Sequence, residues 1–236
     1  MSFFTEWWNY LKVKLGFQPD TAFVARQLKK PGGFYARKIT DRMNKVNHRL
    51  LELTLSQLHS EGGERWLEIG FGSGKHLSRV VGDCNLKSLH GLDHSSEMVA
   101  LAERENAEGI SEGKLDLKLG CSSKIPWPES YFDRVYCNNL IYFWHNPQLH
   151  LREIKRVLKN GGELACGFRT RSTMKNLPFT NHGFVLYEPG EWADTLRRAG
   201  FVELRQHLVT ESRELNPPLN ISLESVCLVG RKPLTQ

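Results

Sequence analysis

The sequence has no long apolar run. Nowhere do roughly 18 apolar residues follow one another, the least that a membrane-spanning helix needs. Its first residues lack a basic stretch followed by an apolar one, so no secretory signal is expected and a cytoplasmic location is. Cysteine is sparse and odd in number. Cys84, Cys121, Cys137, Cys166 and Cys227 are scattered, and the last three stand in apolar, strand-like runs, which argues for reduced buried thiols and against a disulfide frame. The histidines and acids show no metal-ligand spacing, so no metal is expected. Repeats and low-complexity tracts are absent. Net charge is also missing from most of the chain: residues 1–59 carry ten Lys/Arg against four Asp/Glu, and the rest balances, so the whole excess of +6 lies at the front. A basic segment of that kind suits an anionic substrate, nucleic acid or a lipid surface, and equally a solvated face.

Two phosphate-binding glycine patterns are missing where one looks for them. Gly70, Gly72 and Gly74 stand at every second position after Trp66-Leu67-Glu68-Ile69, part of a segment that reads as a short buried strand. A dinucleotide fingerprint G-x-G-x-x-G needs glycine at Lys75 or at Leu77, and a P-loop needs glycine at Ile69 and a hydroxyl at His76. What is present is E-x-G-x-G-x-G between a predicted strand, Arg65 to Ile69, and a helix pattern that begins near Lys75 and ends at Gly82. Glycine permits positive φ there and lets a ligand approach the backbone. A glycine-rich strand-to-helix turn without a ligand is the alternative.

This stretch resembles motif I of the class I S-adenosylmethionine (SAM)-dependent methyltransferases. The difference from the phosphate motifs makes chemical sense, because SAM has no phosphate and presents a carboxylate and an ammonium at its methionyl end. The resemblance implies that Glu68, Gly70, Gly72 and Gly74 hold the cofactor. Further along, Leu86 to Leu92 reads as a second strand closed by Asp93, with Ser95 as the cap of the next helix. An acid at that place accepts ribose hydroxyls in nucleotide-binding α/β folds. Gly91-Leu92-Asp93-His94-Ser95-Ser96-Glu97-Met98 is similar to the family's motif II, which places His94 and Met98 beside the adenine or ribose.

A third strand, Leu115 to Gly120, leads into Cys121-Ser122-Ser123-Lys124-Ile125-Pro126-Trp127-Pro128 and Phe132-Asp133-Arg134-Val135, similar to the family's G-D-A-x-x-L-P-F-x-x-x-x-F-D-x-V. The family's acid, which accepts from the adenine amino group, is Cys121 here. Cysteine is a poor acceptor, so the contact falls to backbone groups or to the Ser122 hydroxyl. The fourth strand, Asp133 to Asn138, opens into Asn139-Leu140-Ile141-Tyr142-Phe143-Trp144-His145, the expected methyl-transfer centre, since ligands lie beyond the carboxyl ends of such strands. That loop is not the [DN]-P-P-[YFW] of many nucleic-acid amino-methylating enzymes. Leu151-Arg152-Glu153-Ile154-Lys155-Arg156-Val157-Leu158-Lys159-Asn160-Gly161-Gly162-Glu163-Leu164 closely resembles the family's L-x-E-x-x-R-V-L-K-P-G-G-x-L.

The resemblance covers roughly residues 60–230 and implies a Rossmann-like α/β fold, a seven-stranded sheet of order 3-2-1-4-5-7-6. A fifth strand, Leu164 to Phe168, a helix, Glu191 to Ala199, and two last strands, Phe201 to Val209 and Ile221 to Val229, complete it. Residues 60–236 are then the SAM-binding domain, and residues 1–59 a helical extension and lid. Thr21 to Leu28 and Ala36 to Leu58 carry helical periodicity, and so does an aromatic stripe over residues 2–15. That stripe is read as packing on the domain, covering the site, joining a homodimer or lying at a membrane interface. Lys30-Pro31-Gly32-Gly33, with Arg37 and Arg42-Met43-Asn44, resembles a segment of methyltransferases in the ubiquinone/menaquinone-biosynthesis group, which makes Tyr35 and Arg37 lid residues. Tyr142, Arg169 and Tyr187 are expected to bind the acceptor, Asn138 the cofactor, and His145, then His182, to supply a base if one is used. A small-molecule acceptor is the leading reading, with nucleic acid disfavoured. An RNA- or protein-directed methyltransferase, or a SAM-binding protein without turnover, are the alternatives.

Overall fold

The computed structural model describes residues 19–33, 36–215 and 219–234. The aromatic stripe of residues 2–15 and Tyr35 lie outside these, as does the side chain of Arg37. Seven strands form one sheet of order β3-β2-β1-β4-β5-β7-β6: β1 (Arg65–Ile69), β2 (Ser88–Asp93), β3 (Leu115–Leu119), β4 (Phe132–Asn138), β5 (Leu158–Arg169), β6 (Val202–Leu215) and β7 (Leu219–Arg231). The first five run parallel, while β7 is antiparallel to β5 and to β6. This is the expected order. Central strands covered on both faces become continuous buried runs, as Trp66 to Ile69 do, with Glu68 the one charged residue among them.

Two helices precede the sheet, α1 (Thr21–Lys29) and α2 (Ala36–Ser56). Asp20 caps α1 by accepting from the Phe23 N–H at 3.0 Å. After β1 comes α3 (Leu77–Asp83), then α4 (Ser96–Glu105) and α5 (Ala107–Ser111) around β2 and β3. α6 (Pro147–Val157) follows a 3₁₀ turn at Ile141–Phe143 and crosses back to β5. Its Leu151, Ile154 and Val157 share one buried face, and Pro147 sits in its first turn, where its missing N–H costs nothing. α7 (Arg171–Met174), a 3₁₀ turn at Pro178–Asn181 and α8 (Pro189–Arg198) lead to the antiparallel pair.

Alternation along the strands divides the core. Leu67, Ile69, Val135, Cys137 and Leu164 face α6 and α8, with Trp192 and Leu196 among their neighbours. Trp66, Tyr136, Ala165 and Val229 face the other way, toward Leu77 and Val80 of α3 and Leu58 after α2. Glu68 also belongs to this second face and is only 3% exposed.

Several boundaries differ from the sequence reading. Gly82 does not end α3, which runs to Asp83 with Cys84 as its cap. β5 begins at Leu158, not Leu164, because residues 159–162 form an irregularity between the pairs Phe132↔Leu158 and Arg134↔Glu163, while Gly161 and Gly162 bond to Lys232. β6 and β7 are both longer, since they pair with each other beyond Arg169↔Ser225, where β5 stops. Among the described residues no helix is long and apolar enough to cross a membrane.

Candidate functional site

At the carboxyl ends of β1, β2 and β4 lies a cavity of about 300 Å³. Its floor is the turn after β1, with Glu68, Gly70, Phe71, Gly72, Lys75 and His76. Asp93 and His94 close one end, and Asn138, Asn139, Leu140 and Phe143 the other. The roof comes from Leu28 and Lys29 of α1, Pro31, and one stripe of α2: Thr40, Met43, Asn44, Asn47, His48 and Leu51. That stripe repeats at helical spacing, and Leu50 and Thr54, both fully buried, lie off it.

Two glycines of the turn do different work. A Cβ on Gly72, at φ +58°, would meet nothing within 4 Å, so the backbone there faces open space and a ligand can approach it. A Cβ on Gly74 would lie 2.6 Å from that of Ala102, so this glycine lets the turn press against α4. Gly74 does not line the cavity; its carbonyl accepts from Asn106 Nδ2 at 2.9 Å. Asp93, 6% exposed, accepts from the Gly72 N–H at 3.0 Å through Oδ2 and from the Ser95 N–H at 2.9 Å through Oδ1. Burial raises its pKa, and these two N–H groups oppose the rise. Beside it, burial lowers the pKa of His94 despite Asp93 at 3.7 Å, and Lys30 and Lys29 lower it further, so this ring is held neutral.

Glu68 is a charge on an apolar face, and burial without partners would be costly. Its Oε2 accepts from the Tyr136 hydroxyl at 2.8 Å and lies 2.7 Å from His76 Nε2. Burial draws the pKa of His76 down, but Glu68 more than restores it, and the ring ends above its ordinary value. Burial and Glu68 together hold the Tyr136 hydroxyl well above its usual range, so it stays a neutral donor. The roof is tied to the floor by Asn44 Nδ2 to Ser73 Oγ at 2.8 Å, Lys75 to Asp41 at 2.7 Å, and Ser95 Oγ to the Pro31 carbonyl at 2.7 Å.

Of the residues singled out in the sequence, the structure brings Glu68, Gly70, Gly72, Asp93, His94 and Asn138 to this cavity. Met98 lies off its wall, 1% exposed, its sulfur accepting from Thr40 Oγ1 at 3.5 Å. Cys121 is exposed and Ser122 buried, both away from the cavity. The Ser122 hydroxyl lies 2.7 Å from His150 Nδ1. Tyr142 and Arg169 are fixed to each other behind the wall: the Tyr142 hydroxyl accepts from the Arg169 N–H, and the guanidinium donates to Ser225 Oγ at 2.9 Å and the Val46 carbonyl at 3.1 Å. Tyr187 packs on Trp192 with ring centroids 5.0 Å apart. His145 is exposed and His182 Nε2 meets Thr21 Oγ1 at 3.0 Å; neither lines the cavity. The sequence reading missed His76 and the polar stripe Asn44-Asn47-His48. The spacing of that stripe is visible in the sequence, but the apolar residues of α2 alone carry its helical periodicity.

An open backbone at Gly72, a buried carboxylate at Asp93 and a second one at Glu68 suit a ligand with vicinal hydroxyls at one end and a cation at the other, which is the chemistry of SAM. Residues 67–166 match the model of a family described as a methyltransferase domain. The chain is 27% identical over 189 residues to the uncharacterized methyltransferase YdaC of Bacillus subtilis, covering 80% of this chain and 94% of that one. It is 28% identical over 142 residues to the 2-methyl-6-phytyl-1,4-hydroquinone methyltransferase of Arabidopsis thaliana, covering 60% of this chain and 41% of that protein. In fold it is similar to a chain of the solved complex between the Haloferax volcanii Trm112 methyltransferase activator and a methyltransferase, with TM-score 0.69, 20% identity, and coverage of 84% and 96%.

Proposed function

Because this chain belongs to the class I SAM-dependent methyltransferases, we propose that it moves the methyl group to a small-molecule acceptor bound between α2 and the end of β4. The observation that supports this reading is the roof. α1 and α2 close over the cavity and leave about 300 Å³, within the range of small-ligand pockets and at its lower end. Leu140 and Phe143 after β4, and Met43 and Leu51 of α2, give the lining apolar side chains, and Asn44, Asn47 and Asn139 add amides to it. Such a lining suits a flat, partly apolar acceptor with one or two polar groups; the Arabidopsis relative is named for a hydroquinone. In this reading residues 1–59 act as a cover and residues 60–236 as the catalytic domain.

SAM supplies a methyl group already activated as a sulfonium. The chain's own contribution is to bind and align. Asp93 would receive the ribose hydroxyls, the backbone at Gly70 and Gly72 would lie against the cofactor, and Glu68 would take its cationic end. Asn138 would contact the cofactor, Asn139, Leu140 and Phe143 would hold the acceptor in line, and α1 and α2 would exclude water. Orientation of this kind is worth several kcal/mol of barrier, up to roughly 7–11 in well-aligned systems. His145 and His182, off the cavity, are given no part in the proton transfer.

The test uses purified protein, labelled SAM, and cell extract divided into a low-mass filtrate, total RNA and protein. Label appearing in an organic-extractable small molecule supports the reading. Label confined to RNA or protein would sink it, and would return the basic front of the chain as the substrate-binding surface.

A further inference from the structure

The buried pair Glu68–His76 is not required by the glycine turn, and it is placed where the cofactor's amino-acid end would come. Among the described residues only one oxygen of Glu68 is engaged: Tyr136 and His76 both meet Oε2, and no group donates to Oε1. Both Glu68 and His76 line the cavity. The other charged groups around His76 are already matched. Arg79, on the same helix, pairs with Glu52 of α2 at 2.5 Å and with Asp83 at 3.0 Å. His48 of α2 lies 3.7 Å from Glu52, and Lys75 pairs with Asp41. Among the described residues Glu68 is the one carboxylate paired with His76, and Tyr136, from β4, is neutral. If the ribose is held at Asp93, the methionyl end points along the turn toward this pair, and its ammonium seeks the same carboxylate that His76 occupies.

We propose that His76 is a positioning residue for the cofactor: it holds the Glu68 carboxylate as an imidazolium in the empty protein and gives up its proton to solvent when the cofactor's ammonium takes its place. Charge balances, one cation leaving as a proton while another arrives. The raised pKa of the ring agrees with a charged His76 before binding. The inference rests on the reading that SAM lies with its methionyl end over Glu68.

The experiment is calorimetric titration of the full chain at pH 6.5 in buffers of differing ionisation enthalpy, which counts protons released per ligand. S-adenosylhomocysteine is the first ligand, and 5′-methylthioadenosine, which lacks the amino-acid end, is the second. At this pH the ligand's own α-amino group, which titrates near 8, stays charged. Since Glu68 raises the pKa of His76 above its ordinary value, S-adenosylhomocysteine should release a measurable fraction of a proton. Methylthioadenosine should release none, and His76→Gln should abolish the release while binding persists. Binding of S-adenosylhomocysteine without proton release overturns the inference and leaves the cofactor reading intact, as does equal release by both ligands. Should the variant not fold, the comparison of the two ligands on the wild-type chain still decides. Absence of binding by either ligand overturns the cofactor reading and this inference with it.

Discussion

Asp93 and Glu68 are both buried carboxylates at one cavity, and their partners separate their roles. Asp93 is held by two backbone N–H groups, which leave lone pairs for hydroxyls, so Asp93→Ala should weaken SAM binding by about 1.5–3 kcal/mol, roughly 10–150-fold, in a calorimetric titration. Glu68 depends on side chains. Tyr136→Phe keeps the ring and removes one donor to a buried charge, and should lower stability by about 1.5–3 kcal/mol, read as a shift in denaturant midpoint. His150 titrates differently. Half-buried against Ser122 and stacked on Trp144, it is pushed by burial from 6.5 to about 4. A folded-state pKa below the unfolded one means stability that is whole above pH 6.5 and is lost as pH falls toward 4. In His150→Gln that acid limb should be shallower by about 1–2 kcal/mol, after discounting for solvent screening, in unfolding curves taken at intervals across this window. Asp93 was readable from its place after a predicted strand. The commitment of Ser122 to His150 was not, because 28 residues separate the pair in sequence and only the packing of α6 beneath the β3–β4 connection joins them.

At the scale of the element, α2 shows what periodicity reveals and what it hides. Its apolar residues predict a helix, and a helix is found over Ala36–Ser56. Yet it has two working faces. Leu50 and Thr54 press on the sheet, where Thr54 Oγ1 donates to Asn138 Oδ1 at 2.7 Å, and the stripe from Thr40 to Leu51 roofs the cavity. A polar stripe on a helix looks like a solvated face until a sheet is placed opposite it. The Thr54–Asn138 contact also fixes β5. A Cβ on Gly167 would lie 2.1 Å from Asn138 Oδ1 and 2.3 Å from Thr54 Oγ1. Gly167→Ala should therefore cost about 1–3 kcal/mol of stability by overpacking, measured by chemical denaturation, and should lower cofactor affinity as Asn138 is displaced. Nothing local in Ala165-Cys166-Gly167-Phe168 marks that glycine as different from any other in a strand.

For the whole molecule, charge and topology bear on the acceptor. The excess positive charge lies in residues 1–59, part of which forms the roof of the cavity. A polyanionic substrate gripped by several of those residues would lose about 10³–10⁵ in affinity between 50 and 200 mM salt. With a small acceptor, KM should move by less than about threefold over the same interval, because few charges are neutralised in the complex. Steady-state assays at the two salt concentrations distinguish the cases.

By itself the sequence determined the sheet. Strand runs, the glycine turn, Asp93 after β2 and the L-x-E-x-x-R-V-L-K-x-G-G stretch are local signals, and the order β3-β2-β1-β4-β5-β7-β6 follows from what they resemble. Local signals persist because backbone geometry and burial on both faces constrain residue type wherever a strand or a tight turn forms. Only the tertiary structure decided which polar side chains meet. It placed His76 on Glu68, sent Tyr142 and Arg169 behind the wall, moved His145 and His182 off the cavity, and turned the polar stripe of α2 inward. Sequence separation does not reveal them, since His76 and Glu68 are 8 residues apart and Tyr142 and Arg169 27 apart; a side chain's direction there depends on how helices settle on the sheet, which no spacing along the chain encodes.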